Sequence, residues 1–197
     1  MVRTHPEEPN VVGVIVKLED LIVVYDDVLS QSDCDKLIQA FENHKDELEV
    51  HDTELYKFKQ LNLNSNKQLR PTAQSYISHL SGVFHNYFTN LGFRQYVSVD
   101  AFEEVKIKKY EKGVEEQFKM HVDASDAESS IRYLVSILYL NDNDGCTEFP
   151  NLGIKVEPKA GRLLIFPPLW MYPHQGLPPT NNDKYIMMTY LHHTNKE

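Results

Sequence analysis

From residue 96 onward the chain is cut by Gly, Pro, Asn and Asp into short apolar segments at 96–110, 131–140, 154–156, 162–166 and 184–191. Segments this short, rich in β-branched and aromatic residues and bounded by turn formers, read as strands. Several in a row need partners, because short strands do not hold together singly, so the second half of the chain predicts a β-sandwich or barrel. Upstream the hydrophobic period changes. Cys34, Leu37, Ile38 and Phe41 stand at i, i+3, i+4 and i+7, one face of a helix that Ser30 or Ser32 can cap. Between 72 and 91, Tyr76, Ile77, Leu80, Val83, Phe84, Tyr87, Phe88 and Leu91 repeat at helical spacing, and Gly92 supplies a stop. The runs 11–16 and 21–25, separated by polar residues 17–20, predict two short strands joined by a turn. Residues 51–70 are rich in Asn, Gln and Lys without a strong period, which predicts a loop region with at most short strands. With no internal repeat and no low-complexity linker, the expected fold class is α+β, mainly β. A single domain over 1–197 is expected, its two N-terminal-half helices bracing one sheet.

Composition narrows the function classes. The chain has 197 residues, 41% hydrophobic and 25% charged, close to an average globular protein. Lys and Arg number 20 against 29 Asp and Glu, a net charge of −9, so no electrostatic footprint for nucleic acid is expected. The longest aliphatic stretch, 21–24, is far too short to span a membrane. Two cysteines, Cys34 and Cys146, do not form a secretory disulfide pattern, and residues 1–10 lack a signal-peptide core. A cytoplasmic, membrane-free protein is expected.

Three features point to chemistry. His121-Val122-Asp123 places an imidazole and a carboxylate on one face of an extended chain, where both can reach one cation. With nine His and thirteen Asp in the sequence, chance alone supplies about 0.6 such triplets, so the motif is weak by itself. A solvated turn is the competing reading. His174 follows the apolar run 163–166 and a Pro-rich corner at 167–173, a position from which a histidine can face the inside of a sheet. Two imidazoles and one carboxylate form the facial set that holds Fe(II) with positions left open. A buried histidine bonded to backbone is the rival. Lys184 opens a strand in which Lys184, Ile186, Met188 and Tyr190 share a face. An ammonium on an apolar face is costly unless an anion neutralises it, as the carboxylate of a cosubstrate does. The three together are far less expected by accident than any one.

With these residues in place, the sequence resembles the 2-oxoglutarate and Fe(II)-dependent oxygenases, in the prolyl 4-hydroxylase-like group. Tyr110-Glu-Lys-Gly113 ahead of His121-Val-Asp123 is similar to the family's Tyr-x-x-Gly approach to its metal motif, and Ile137-Leu-Tyr139-Leu-Asn141 to the strand that follows. Gly145-Cys-Thr147-Glu-Phe149-Pro150 resembles a Gly-Glu-Thr-x-Phe-Pro turn, and residues 156–166 a Lys-Pro-x-x-Gly followed by an apolar strand. His174-Gln-Gly176 and Lys184 complete the order, while residues 25–40 resemble the segment that opens these domains. Cys146 stands where that turn usually has Glu, two extra residues separate Tyr110 from His121 relative to some members, and Tyr190 takes a position often held by Trp.

The resemblance implies a double-stranded β-helix, or jelly roll, with its metal-site core at about 96–192. It implies Fe(II) on His121, Asp123 and His174, and Lys184 on the distal carboxylate of 2-oxoglutarate, with Tyr139 and Thr147 adding hydroxyl contacts there. Tyr110 would lie near the chelating end, and Tyr190 with the 57–66 loop, as a mobile lid, would shape the substrate groove. The implied reaction consumes 2-oxoglutarate and O2, with ascorbate a candidate reductant. It hydroxylates an unactivated carbon, first a prolyl residue in a protein or peptide, and releases succinate and CO2. An oxygenase acting on another amino acid or small molecule, and a non-catalytic metal-binding jelly roll, are the alternatives. Oligomeric state is not encoded in any of these features.

Overall fold

The computed structural model describes residues 17–99 and 101–194. In chain order the strands are β1 (Val23–Tyr25), β2 (Glu49–Asp52), β3 (Lys57–Asn62), β4 (Lys106–Tyr110), β5 (Phe118–His121), β6 (Arg132–Tyr139), β7 (Thr147–Phe149), β8 (Ile154–Val156), β9 (Leu163–Phe166), β10 (His174–Gly176) and β11 (Lys184–His192). Helix α1 (Gln31–Asn43) precedes β2, and α2 (Arg70–Asn90) precedes β4. Seven strands form one sheet in the order β1-β9-β6-β11-β4-β3-β2, and four form a second, β5-β10-β7-β8. Neighbours in both sheets pair antiparallel. The class is therefore mainly β with two helices, as the sequence implies.

The central strands of the large sheet are buried on both faces, which is why they read as nearly continuous apolar runs. On β11, Tyr185, Met187 and Leu191 pack with α1 and α2, while Ile186 and Met188 face the other way, into a core that also takes Phe149 and Val156 from the small sheet. Strand β6 divides alike, Leu134 and Leu138 toward the helices, Val135, Ile137 and Tyr139 toward the small sheet. Ser30 caps α1 by accepting from the Asp33 backbone N–H at 3.2 Å. The helix buries Cys34, Leu37 and Phe41. The second helix starts at Arg70 with Pro71 in its first turn and buries Ala73, Tyr76, Leu80, Phe84, Tyr87 and Phe88 before Gly92 turns at φ 77°.

Helix α1 is also tied to the sheet by charge. Lys109 on β4 lies 2.9 Å from Glu42 and 3.0 Å from Asp183, and the Tyr185 hydroxyl donates to Glu42 at 2.7 Å. Burial pushes the Glu42 carboxyl up, but these donors outweigh it and hold it at about 2.

Several expectations are corrected. Segment 51–70 does hold short strands between turns, but they are structural rather than loop-borne: it completes β2 and supplies β3, an interior strand between β2 and β4. The 57–66 lid is therefore a wall. Backbone bonds run from Lys57 N–H to the Gln117 carbonyl and from Lys119 N–H to the Leu55 carbonyl, both 2.9 Å, so this hairpin also holds the chain entering β5. Lys57 and Lys59 on its rim pair with Asp52 and Glu111, a polar dress that hides a strand from a hydrophobic pattern. Of 96–110, only Lys106–Tyr110 is a strand, with a lone bridge from Phe102 to Leu191, and the large sheet draws three strands from before residue 96. The expected strand at 11–16 lies outside the described residues, and 21–25 forms Val23–Tyr25 after a 3-10 turn at Leu18–Leu21. Among the described residues, no helix is long and apolar enough to cross a membrane.

Gly161 joins the approach to α1 to the sheet. Its carbonyl accepts from Val28 N–H at 2.9 Å and its N–H donates to the Tyr139 carbonyl at 3.0 Å. Its φ is 76°, and a Cβ there would fall 2.2 Å from the Leu29 carbonyl oxygen, whereas at Gly153, φ 67°, a Cβ meets nothing within 4 Å. Gly161→Ala is expected to destabilise by at least about 3 kcal/mol and Gly153→Ala by about 1 kcal/mol. Urea denaturation of the two variants checks the difference.

Candidate functional site

His121 ends β5 and His174 begins β10, and the two residues are register partners across that antiparallel pair. Their ring centroids are 4.3 Å apart. Each imidazole has one nitrogen committed to backbone: His121 Nδ1 lies 2.7 Å from the Lys119 carbonyl and His174 Nδ1 3.1 Å from the Tyr172 carbonyl. A carbonyl accepts only, so each Nδ1 carries the hydrogen and each Nε2 presents a lone pair. Both Nε2 atoms point to Asp123, at 3.3 Å from Oδ1 and 3.6 Å from Oδ2.

Asp123 sits in the bend after β5, held by two backbone contacts. Arg132 Nη1 donates to its carbonyl at 3.1 Å, and the next residue, Ala124, bonds to the Pro168 carbonyl at 3.0 Å. Phe118 stacks on His121 with centroids 3.5 Å apart, and Phe166 meets His174 edge-on. Burial pushes His174 down, against the pull of Asp123, which favours the neutral ring. Burial pushes the Asp123 carboxyl up, and positive charge or a donor beside it, from a protonated His174 or His121 or the Tyr190 hydroxyl, pulls it down. Asp123 Oδ2 is buried and, among the described residues, has no hydrogen-bond partner. The one ligand atom from each of His121, Asp123 and His174 lies within 4.8 Å of the others, and a divalent cation fits this set: two neutral nitrogen donors, one anionic oxygen and an unsatisfied lone pair.

The three residues line one end of a cavity of about 430 Å³, open solvent at its mouth included. Lys184 lies on its wall, 2% exposed, and its Nζ donates to the Gly145 carbonyl at 2.7 Å. Among the described residues no carboxylate pairs with it. Burial pushes this ammonium down to about 8, with Cys146 and Asp144 acting in the opposite direction. Tyr110 is its register partner, with the ring centroid 4.8 Å from Nζ. Thr147 also lines the cavity and takes the Tyr139 hydroxyl at 2.7 Å, so Tyr139 stands behind Thr147 rather than on the wall. Ile137, Ile186 and Met188 supply the apolar lining.

Tyr190 is not on this wall. It lines an adjoining depression of about 650 Å³ with Arg132, whose guanidinium lies 4.1 Å from the ring centroid. Three neighbours escaped the sequence reading. Phe118 and Arg132 carried no signal beyond β-propensity. Lys108 did carry one: two residues before Tyr110 on β4, it shares that face, and it lines both the cavity and the depression.

Residues 105–192 match the family model of the 2OG-Fe(II) oxygenase superfamily. A putative prolyl 4-hydroxylase of Acanthamoeba polyphaga mimivirus is 30% identical over 140 residues, covering 62% of this chain and 58% of that relative, so the chain spans under two thirds of its length. Among solved structures, a viral collagen prolyl hydroxylase from Paramecium bursaria Chlorella virus-1, described as a 2OG complex, aligns with TM-score 0.67 at 20% identity. That alignment covers 88% of this chain and 97% of that one. A Trichoplax adhaerens prolyl hydroxylase, in complex with a hypoxia inducible factor oxygen degradation domain peptide fragment, aligns with TM-score 0.69 at 15% identity over 88% of this chain and 84% of its own. At such identities these structures establish a common fold. The matching segment contains every residue of the cavity described above, so the similarity to the 2OG-Fe(II) oxygenase superfamily spans the whole candidate site.

Proposed function

We propose that the chain is a dioxygenase that couples oxidation of 2-oxoglutarate to succinate and CO2 with hydroxylation of an unactivated carbon, in the first instance a prolyl residue of a protein or peptide. The observation that carries this reading is that the His121, Asp123 and His174 set and the buried Lys184 ammonium open on one cavity. A site for metal alone has no use for a second, unpaired cation in an apolar wall, whereas a dicarboxylate cosubstrate needs both a metal to chelate and a charge for its far end. In this reading the two sheets are the halves of a double-stranded β-helix within a single domain.

The roles follow from position. His121, Asp123 and His174 hold Fe(II), their Nδ1–carbonyl bonds fixing the ring planes. Lys184 pairs with the distal carboxylate, Thr147 adds a hydroxyl kept in place by Tyr139, and Tyr110 lies against the cosubstrate on the opposite strand. Bound there, iron supplies the O2 activation and hydrogen abstraction that no side chain provides. Ile137, Ile186 and Met188 exclude water from the reacting end. Tyr190 forms part of the groove through which a substrate side chain reaches it. The preference for proline is supported by the names of the similar proteins, and a peptide substrate by the peptide bound to the Trichoplax enzyme.

Metal binding comes first. Titrating Mn(II) into metal-free protein is expected to show one site, with His174→Ala at least about 100-fold weaker. Because burial holds His174 below the ordinary histidine range, affinity should be level from neutral pH upward and fall as protons compete at lower pH. Equal affinity in both proteins would remove the site. Lys184→Ala is expected to leave the Mn(II) affinity unchanged and raise the 2-oxoglutarate dissociation constant at least about tenfold, read by anaerobic titration of the Mn(II)-loaded protein. An unchanged constant would reassign Lys184. For the reaction itself, Fe(II)-loaded protein, 2-oxoglutarate and heavy-oxygen-labelled O2 are incubated with a library of proline-containing peptides and followed by mass spectrometry. The reading requires a product heavier by one oxygen atom and succinate in equal amount; peptides left unmodified while acyl groups or other residues gain oxygen would discard the prolyl assignment.

A further inference from the structure

Strand β4 carries three lysines with different fates. Lys109, on the helix face, has two ion pairs, and Lys106, at the strand's start, lies 3.9 Å from Glu104. Lys108 faces the cavity, is 8% exposed, and makes no hydrogen bond or ion pair with any described residue, the carboxylate of Asp123 acting on it only across a distance. Its Nζ rests 4.3 Å from the Phe58 ring centroid and 5.7 Å from that of Phe118. Aromatic faces attract a cation, yet they do not replace the hydrogen bonds that three ammonium protons lose on leaving water.

The register places that ammonium within the site. Lys184 and Tyr110 are partners at one end of the β11–β4 pair, Ile186 and Lys108 are the next pair on the same face, and Met188 and Lys106 the one after. Lys108 thus lies one pleat repeat, about 7 Å of strand, from the Lys184 end, toward the depression that holds Tyr190. The guanidinium there is spent: Arg132 holds Glu103 at 2.6 and 3.0 Å and the Asp123 carbonyl at 3.1 Å. With the cosubstrate's far carboxylate on Lys184, the cation left at the threshold between cavity and depression faces the incoming substrate.

We propose that Lys108 is a specificity-determining residue that binds a carboxylate of the substrate beside the carbon to be hydroxylated, either the α-carboxylate of a free or C-terminal residue or the side chain of an adjacent acidic residue. The proposal rests on the oxygenase reading above and not on the choice of proline. The Phe58 and Phe118 rings hold the ammonium in place, so the carboxylate meets a positioned donor rather than a flexible surface lysine.

The test is a binding experiment on Mn(II)- and 2-oxoglutarate-loaded protein without O2, reading proton relaxation of the probe by the metal. Probes are N-acetyl amino acids, each as the free acid and as the primary amide, together with acetyl-prolyl-aspartate amide against acetyl-prolyl-asparagine amide. The wild type is expected to favour the acid at least about tenfold in one of these comparisons, and which comparison does so identifies the source of the carboxylate. Lys108→Met, which keeps the apolar stem over Phe58, should lose the preference with its Mn(II) and 2-oxoglutarate affinities unchanged, and Lys108→Arg should keep it. A preference that survives in Lys108→Met, no preference or no binding in the wild type, or a 2-oxoglutarate affinity that falls in Lys108→Met would each overturn the proposal. A residue other than proline winning among the acids would sink the prolyl assignment and leave Lys108 as proposed.

Discussion

One antiparallel pairing makes the site: β5 against β10, with His121 opposite His174. Both strands are short, and a pair of that length has no stability of its own in water. It persists because the small sheet covers the inner face of the large one, with Phe149, Phe166 and Tyr172 fully buried beside the histidines. The same contacts set the imidazoles. Each Nδ1 is bound to a carbonyl two residues earlier in its own chain, so backbone conformation rather than side-chain packing alone decides that both Nε2 atoms meet at Asp123.

Around that pairing the protein treats buried cations in three ways, and the differences follow from which face of β4 and β11 a lysine occupies. Lys109 faces the helices, meets Glu42 and Asp183, and serves to dock α1. Lys184 faces the cavity and has one backbone carbonyl, enough to orient the ammonium but not to neutralise it. Lys108 has aromatic rings and, among the described residues, no hydrogen-bond partner, with Asp123 the main opposing charge. Burial pushes both Lys184 and Lys108 down to about 8, which marks how little in the protein itself offsets their desolvation. A fold that needed these cations only for stability would have paired them, as it did Lys109.

Much of this was legible in the sequence where the physics is local. The α1 cap at Ser30, the alternation along β11 and the span of β8 follow from side-chain size and period. Of the residues that the motifs single out, His121, Asp123, His174, Lys184, Tyr110 and Thr147 line one cavity, while Tyr139 stands behind Thr147 and Tyr190 lines the adjoining depression. What could not be read is what pairing decides. Strand β3, Lys-Phe-Lys-Gln-Leu-Asn, has a polar composition and becomes interior only because β4 and β2 flank it. Lys108 was hidden differently: in a run of three lysines among six residues, the eye sees a solvated edge, and only the position of β4 between β11 and β3 turns one of them inward.

The β2–β3 hairpin also determines from which side the metal residues can be reached. Its backbone bonds to residues 117 and 119, and the bridge from Tyr56 to Phe118, fasten it to the strand that delivers His121, so that flank is closed by hydrogen-bonded chain. The large sheet closes the opposite side, and the depression with Tyr190 and Arg132 adjoins the cavity through the wall they share at Lys108 and Phe118. Arg132 is the hinge pin of that arrangement: one nitrogen holds the Asp123 carbonyl, two hold Glu103, and the guanidinium plane lies over Tyr190. The Tyr190 ring thus rests on the same planar group, with five donors in fixed directions, that holds the Asp123 backbone.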